Sequence, residues 1–198
     1  MAISLSKGQT ISLAKTGSSG LSKVFMGLGW DPVKKKSGGF LGKLLGGGGG
    51  DNIDLDASVI LLDANKSAVD TVSFNQLKSK DGAIRHGGDN LTGEGEGDDE
   101  VIYAELTKLP TNVSHLVFTV NSFRGQTFNE VENAFCRLVD EANNEELCRY
   151  TLTDQGTHTG VIMASMTKTA DGWTMTAHGK PCTGRTVKDL VQDAVSVI

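Results

Sequence analysis

Short runs in which polar and apolar residues alternate dominate the chain, as in Thr10-Ile11-Ser12-Leu13. Successive side chains of a strand point to opposite faces, so runs of this kind predict β-strands. The predicted strands cover 10–13, 24–30, 53–63, 69–74, 101–106, 115–121, 134–140, 147–152, 161–167 and 173–177. The pattern therefore predicts an all-β fold, a β-sandwich of two packed antiparallel sheets with about ten strands.

The carboxyl-terminal segment has a different period. Val187, Leu190, Val191 and Ala194 recur at the spacing of an amphipathic helix, and Thr186 precedes them as a candidate N-cap. We therefore expect one short helix at the end of the chain.

The run from 53 to 63 carries the most information about the core. One face of this predicted strand is apolar throughout, and the other face turns apolar at Ile60 and Leu62. The first face consists of Ile53, Leu55, Ala57, Val59 and Leu61. Asp54 and Asp56 begin the second face, so the leading edge of the strand presents two carboxylates close enough to share a cation.

Two pairs of runs read as hairpins. Asp171-Gly172 is a turn signal between 161–167 and 173–177, and a polar turn joins 134–140 to 147–152. The second pairing would make Cys136 and Cys148 cross-strand neighbours. The three cysteines, which include Cys182, fit neither a disulfide framework nor a zinc module, so we expect reduced and mostly buried thiols.

Length and composition favour one soluble domain over residues 1–198. Hydrophobic residues make up 38% and charged residues 22% of the 198 positions, and the formal net charge is -5. An acidic chain without a basic face is a poor nucleic-acid binder. The chain also shows neither a signal peptide nor a long apolar run, so we expect a cytoplasmic protein.

The segment 34–50 reads as a flexible insertion. It joins three consecutive lysines to four large apolar residues and ends in the five glycines of 46–50. Two interpretations remain open. The segment is a plain surface loop, or it makes a peripheral contact with an anionic membrane or a partner protein.

Residues 89–100 form the most acidic stretch. They contain six carboxylates and three alternating glycines but no Lys or Arg. Two carboxylates about 4 Å apart repel by roughly 1 kcal/mol in water, so the loop needs a counter-charge to become ordered. Calcium suits it better than magnesium because calcium accepts six to eight oxygens in irregular geometry. The alternative is an acidic, disordered surface loop.

Loops at one rim of a sandwich come together in space even when they are far apart in sequence. This is how Asp31, the pair Asp54 and Asp56, and the loop 89–100 could meet. The loop is not an EF-hand, because it lacks acidic residues at its third and fifth positions and has Glu94 where that motif needs glycine.

The motifs of the chain together resemble the TerD family of tellurium-resistance and stress proteins, over nearly its whole length. The resemblance rests on Gly27-Leu28-Gly29-Trp30-Asp31, Asp54-Leu55-Asp56-Ala57-Ser58, His86-Gly87-Gly88-Asp89-Asn90-Leu91-Thr92-Gly93, Gly95-Glu96-Gly97-Asp98-Asp99-Glu100, and 134–140 followed by Arg149-Tyr150. The Lys-rich, five-glycine segment most resembles the TerZ branch of that family.

This resemblance implies a calcium-binding β-sandwich that works with other tellurite-resistance and stress proteins. The implied metal site comprises Asp31, Asp54, Asp56, Asp89, Asn90, Gly93, Gly95, Asp98, Asp99 and Glu100. We therefore expect a non-catalytic sensor or scaffold, with Ca²⁺ as its cofactor and no nucleic-acid partner. The alternative is a metal-dependent hydrolase that uses His86 with the acidic rim.

Overall fold

A computed structural model describes residues 2–14, 20–33, 53–88, 90 and 97–198. In these ranges the chain forms twelve β-strands and one α-helix. The strands are β1 Ile3–Leu5, β2 Thr10–Ser12, β3 Lys23–Pro32, β4 Asp56–Asp63, β5 Ala68–Val72, β6 Ile84–His86, β7 Glu100–Glu105, β8 Val113–Asn121, β9 Val131–Asp140, β10 Glu145–Thr151, β11 Gly160–Thr169 and β12 Gly172–Cys182, and the helix is α1 Val191–Ser196.

The strands form two six-stranded sheets, which confirms the predicted β-sandwich. Sheet 1 has the order β1-β10-β9-β3-β7-β6, and sheet 2 has the order β2-β12-β11-β8-β4-β5. Neighbouring strands are antiparallel except for β1 and β10, which pair in parallel. The alternation missed β1 and β6, because three residues are too few to establish a period.

Strand β4 contributes to two cores, as its two apolar faces predicted. Ala57, Val59 and Leu61 are fully buried among the side chains between the sheets. Ile60 and Leu62 face outward and pack in a second cluster with residues of the carboxyl-terminal segment. Sheet 2 is therefore covered on both faces along this strand.

The carboxyl-terminal helix is present, but it begins later than predicted. Its first residue is Val191, and Thr186 is not its N-cap. The Asp189 carboxylate accepts hydrogen bonds from the backbone N–H and the hydroxyl of Thr186, at 2.9 and 3.0 Å. The N–H of Leu190 bonds the Val187 carbonyl three residues back, so 187–190 form a turn ahead of the helix.

Both predicted hairpins are present, and the register makes Cys136 and Cys148 diagonal cross-strand neighbours. β9 and β10 pair so that Cys148 lies opposite Leu138 and Cys136 lies opposite Tyr150. The two cysteines are therefore not directly opposite each other. All three cysteines are free and buried, as expected.

Within the described ranges, no helix combines the length and the apolar composition that a membrane span requires.

Candidate functional site

Three strands of the sandwich meet at one rim, where β3 ends and where β4 and β7 begin. The Asp99 N–H donates to the Leu28 carbonyl at 2.8 Å, and the Trp30 N–H donates to Asp99 Oδ2 at the same distance. These bonds place Asp99 against the end of β3. We call Asp31, Asn90, Asp98, Asp99 and Glu100 the acidic rim.

Asp99 lies at the electrostatic centre of the acidic rim. Partial burial raises its pKa, and the negative charges of Asp31, Glu100 and Asp98 raise it further. Hydrogen bonds from Trp30 N–H and, at 2.9 Å, from Asn90 Nδ2 oppose that repulsion. Ionisation of Asp99 is thus less favourable in the rim than in water, and a further positive charge would favour it.

Glu100 anchors the rim to sheet 2. Its side chain is fully buried, and Oε2 accepts a hydrogen bond from the Ala57 N–H at 2.7 Å. Oε1 accepts one from the Asn90 N–H at 3.0 Å. Because Ala57 belongs to β4 while Glu100 begins β7, this carboxylate joins the two sheets at the point where the acidic loop returns to the fold.

His86 has a structural position beside Glu100. Its Nδ1 accepts a hydrogen bond from the Gly88 N–H, which leaves the ring proton on Nε2. Nε2 lies 3.1 Å from the Ala57 carbonyl and 3.3 Å from Glu100 Oε2. The imidazole is fully buried with both nitrogens engaged, so it is not available to a substrate as a base.

Asp98 forms an ion pair with Arg137, a residue that the motifs did not single out. Its two oxygens accept hydrogen bonds from Arg137 Nε at 2.7 Å and Nη2 at 2.8 Å. This interaction, with a further bond to Glu146, raises the pKa of Arg137. Gly27 lies opposite Arg137 in the register and leaves space for the Asp98 carboxylate.

The two glycines of β3 make room for the returning loop. A Cβ added at Gly27 would overlap the Asp98 carboxylate. One added at Gly29 would overlap the Phe135 ring and would lie 2.6 Å from the Gly97 carbonyl oxygen. The Gly27-Leu28-Gly29 motif therefore allows residues 97 and 98 to approach the face of sheet 1.

The sequence predicted that Asp54 and Asp56 present their carboxylates at the leading edge of the strand. The structure does not leave that edge open. Both are buried, and the strand begins only at Asp56. Asp54 Oδ2 pairs with Arg124 Nε at 2.9 Å, and Asp56 lies opposite Asn121 in β8. No sequence motif contains Arg124. Asp56 continues the outward-facing side of β4, whereas the Ala57 backbone contacts Glu100.

Asp31 borders an open cavity of about 440 Å³ beside the acidic rim. Its carboxylate accepts a hydrogen bond from Asn133 Nδ2 at 2.8 Å, and Asn133 has a left-handed backbone with φ 53°. Asp99 and the Gly97 backbone line the same cavity, and Arg149 stands in its wall. Arg149 also lies 4.3 Å from the centre of the Phe135 ring.

Several predicted positions lie outside the described residues, namely Asp89, Gly93, Gly95 and the segment 34–50. Among the residues that are described, no group of three or more His, Cys, Asp or Glu side chains is arranged so that it could hold a metal ion. Asp31, Asn90, Asp98, Asp99 and Glu100 nevertheless share one rim.

The three thiols do not supply redox chemistry to this site. Burial raises the pKa of Cys136, Cys148 and Cys182 to about 12. Thiols with such pKa values are protonated at neutral pH and are poor nucleophiles.

Comparison with known proteins gives a consistent result. The TerD domain profile matches residues 1–193. Tellurium resistance protein TerZ of Serratia marcescens is 55% identical over 99% of this chain and 98% of its own length. Stress response protein SCP2 of Bacillus subtilis (strain 168) is 46% identical over 96% of this chain and 98% of its own length.

A solved structure supports the fold. The crystal structure of a homologue of telluride resistance protein TerD from Streptomyces coelicolor A3(2) superimposes with a TM-score of 0.66. It covers 88% of this chain and 96% of that one at 22% identity. At this level of identity the likeness concerns the architecture alone.

Proposed function

The chain belongs to the TerD family, whose members include tellurium-resistance and stress-response proteins, and on that basis we propose that it is a non-catalytic calcium-binding protein. In this proposal it acts in the cytoplasm as a sensor or scaffold within an assembly of other resistance and stress proteins. Calcium binding at the acidic rim is the signal that it reads.

One observation carries the proposal. Four carboxylates, those of Asp31, Asp98, Asp99 and Glu100, come close enough for the other three to raise the pKa of Asp99. Such repulsion lowers the stability of the folded chain, and a divalent cation removes it directly. If the rim only had to be ordered, amide side chains at these positions would make the folded chain more stable than carboxylates do.

The chemistry of the donors favours calcium. The acidic rim offers carboxylate and amide oxygens, whereas the nearby His86 nitrogens are already engaged. An all-oxygen set of donors suits calcium or magnesium and does not suit zinc. The donors come from separate strands and loops, so their geometry is irregular, which calcium tolerates better than magnesium.

The proposed ligands fall into three groups. Asp31, Asn90 and Asp99 border the rim with side-chain oxygens. Asp98 and Glu100 are held most firmly, Asp98 by Arg137 and Glu100 by the Ala57 N–H, and their oxygens keep further lone pairs. The proposal keeps Asp54, Asp56, Asp89, Gly93 and Gly95 as additional ligands of one or more ions.

The hydrolase alternative has no support in the structure. It required His86 as a base, and the imidazole is buried between Ala57 and Glu100. His115 lies in sheet 2, where it contacts Thr167 Oγ1, and burial lowers its pKa. A general base must reach a bound substrate, which a fully buried ring does not do.

Calorimetric titration with Ca²⁺ and with Mg²⁺ tests the proposal. We expect saturable binding of Ca²⁺, weaker binding of Mg²⁺, and loss of Ca²⁺ affinity in Asp99→Asn. Asp171→Asn is the matched control, because Asp171 is exposed in the turn between β11 and β12. Absence of Ca²⁺ binding by the unmodified chain, or equal binding by Asp99→Asn, would contradict the proposal.

A further inference from the structure

A second cavity lies on the outer face of sheet 2, and no residue of the acidic rim lines it. Its volume is about 320 Å³, within the range of roughly 300–1,000 Å³ for small-molecule sites. Its floor is formed by Ser58 of β4 and Asn121 of β8. Two segments enclose it, the turn around Phe74 on one side and residues 186–188 on the other. We call it the outer cavity.

The floor of the outer cavity has buried hydrogen-bonding atoms that are not satisfied. Ser58 and Asn121 are each only 1% exposed. Ser58 Oγ and Asn121 Oδ1 have no hydrogen-bond partner among the residues that the structure describes. Buried polar atoms are nearly always paired, so two such atoms on the floor of one cavity are open to a partner from outside the chain, either water or a ligand.

The fold holds these two atoms in fixed positions. Ser58 lies opposite Thr119 in the ladder between β4 and β8, and Asn121 lies two residues further along β8 on the same face. Asn121 Nδ2 donates to the Arg185 carbonyl at 2.9 Å. That bond orients the amide, so its oxygen is the atom left for another molecule.

The remaining lining indicates the chemistry of that molecule. Thr71, Ser73, Gln76 and Thr186 add neutral hydroxyl and amide groups, and the single charged residue in the lining is the exposed Lys188. A site without a carboxylate is a poor cation site. A ligand that both donates and accepts hydrogen bonds, as a hydroxyl group does, matches Ser58 and Asn121 together.

Aromatic side chains border the entrance. Phe74 lines the outer cavity, and its ring meets the Phe123 ring edge-on, with centroids 5.8 Å apart and an angle of 72°. Phe123 is 49% exposed, which is unusual for a large apolar side chain. Such rings offer an apolar face to the C–H side of a ligand whose other side carries polar groups.

We infer that the outer cavity binds a small neutral polyol, of the size and chemistry of a monosaccharide. Its hydroxyl groups bond Ser58 Oγ and Asn121 Oδ1, and its C–H face packs on Phe74. None of the acidic-rim residues lines this cavity, so the inference stands whether or not the rim binds calcium.

Titration of the ¹⁵N-labelled full chain with D-ribose, D-glucose and myo-inositol tests the inference. At millimolar concentrations of at least one of these three compounds, we expect saturable changes in the amide chemical shifts. These changes should centre on Ser58, Asn121, Phe74 and Thr186. Ser58→Ala should weaken binding about five- to tenfold, the effect of losing one ordinary hydrogen bond. Its melting temperature without sugar should not fall, because the hydroxyl has no partner within the described chain.

Ser165→Ala is the matched control. Ser165 is a buried serine of the same sheet, but its Oγ already contacts His178 Nε2 at 2.8 Å. The Ser165→Ala variant should have a lower melting temperature and an unchanged affinity for the three probes. If none of the three probes binds saturably, the cavity holds only water and the inference is wrong. Equal affinity in Ser58→Ala and the unmodified chain would also overturn it.

Discussion

Asp99 is a residue whose ionisation opposes folding. Its pKa in the folded chain is raised above the ordinary value of 3.8, so the folded state binds the proton more tightly than the unfolded state. The metal-free protein therefore loses stability as pH rises from 3.8 through the folded pKa, and the loss is complete above it. Below 3.8 both states are protonated and the effect disappears.

The first prediction follows from this sign. In chelator at pH 7, Asp99→Asn should melt about 1–2 °C above the unmodified chain, a small gain because Asp99 is partly exposed to solvent. The difference should shrink as pH falls toward 3.8. Thermal melts across pH provide the measurement. A variant that is less stable than the unmodified chain at neutral pH would show that repulsion does not dominate at Asp99.

Asp98 has two roles to distinguish, pairing with Arg137 and binding calcium as a proposed ligand. Asp98→Ala and Arg137→Ala break the same half-buried pair, so each should destabilise the metal-free chain by about 1–3 kcal/mol. Their effects on calcium should differ. Asp98→Ala removes a proposed ligand and should weaken Ca²⁺ binding about tenfold. Arg137→Ala removes a competing cation and should leave binding unchanged or tighter.

Calorimetry of both variants gives the comparison. Asp171→Ala is the control, because Asp171 is exposed. Asp70→Ala would not serve as one. Burial opposes ionisation of Asp70, but hydrogen bonds from Lys80, Gln76 and Thr71 outweigh it and lower its pKa. Removing that carboxylate would therefore disturb the fold. If Asp98→Ala binds Ca²⁺ like the unmodified chain, Asp98 serves only Arg137.

At the scale of the element, β3 combines an ordinary core strand with an unusual surface. Val24, Met26 and Leu28 fill the core between the sheets, while Gly27 and Gly29 face the returning acidic loop. A side chain at Gly29 would overlap the Phe135 ring and the Gly97 carbonyl oxygen. We therefore predict that Gly29→Ala destabilises the fold by about 1–3 kcal/mol, the usual cost of overpacking.

Gly20→Ala is the control for this prediction, because an added Cβ there meets nothing within 4 Å and its φ is not positive. It should change the stability by less than about 0.5 kcal/mol. Urea denaturation of both variants gives the free energies of unfolding. Equal stability of Gly29→Ala and Gly20→Ala would mean that the loop adjusts freely and that the glycine motif is not a steric requirement.

For the whole molecule, calcium and folding should be linked. Free Ca²⁺ at about a hundred times its dissociation constant would add roughly 2.7 kcal/mol if the unfolded chain does not bind it. For a chain of this size that gain corresponds to a rise in melting temperature of roughly 5–10 °C. Thermal denaturation in chelator, in Ca²⁺ and in Mg²⁺ measures this rise in melting temperature. An unchanged melting temperature in Ca²⁺ would contradict the proposed site.

The segment 34–50 gives the last prediction, which concerns association. The described chain on either side of it is tied together, because Trp30 Nε1 donates to the Ile53 carbonyl at 3.2 Å and the Val33 N–H bonds the Glu130 carbonyl. A short Gly-Ser linker in place of 34–50 should therefore preserve folding, since closure entropy changes by only about 0.6 kcal/mol per doubling of loop length. Binding to anionic vesicles should be lost, since each lysine near the surface contributes about 1 kcal/mol.

Co-sedimentation with anionic vesicles at low and high salt measures this binding. A second variant, with Lys34, Lys35 and Lys36 replaced by Gln, keeps the length and tests the charge alone. Unfolding of the linker variant would show that the segment belongs to the core. Unchanged sedimentation of both variants would exclude the membrane contact.

The sequence by itself determined the fold class and the two faces of the central strand. Side-chain alternation is a local property of the extended backbone, so Ala57, Val59 and Leu61 could be assigned to one core and Ile60 and Leu62 to another face without any partner in view. The same holds for the Asp171-Gly172 hairpin. The resemblance to the TerD family likewise needed only the order of the motifs, and the comparisons confirm it.

Only the tertiary structure decided which partners the charged side chains meet. Asp98 and Arg137 are 39 positions apart and Glu100 and Ala57 are 43 apart, and no local pattern encodes either pair. Burial of Asp54 beneath Arg124 and the late start of α1 at Val191 likewise depend on neighbours that fold from elsewhere in the chain. Hydrophobic periodicity reports which face of a strand is inside, whereas partner choice depends on register and loop paths that only the assembled sheets fix.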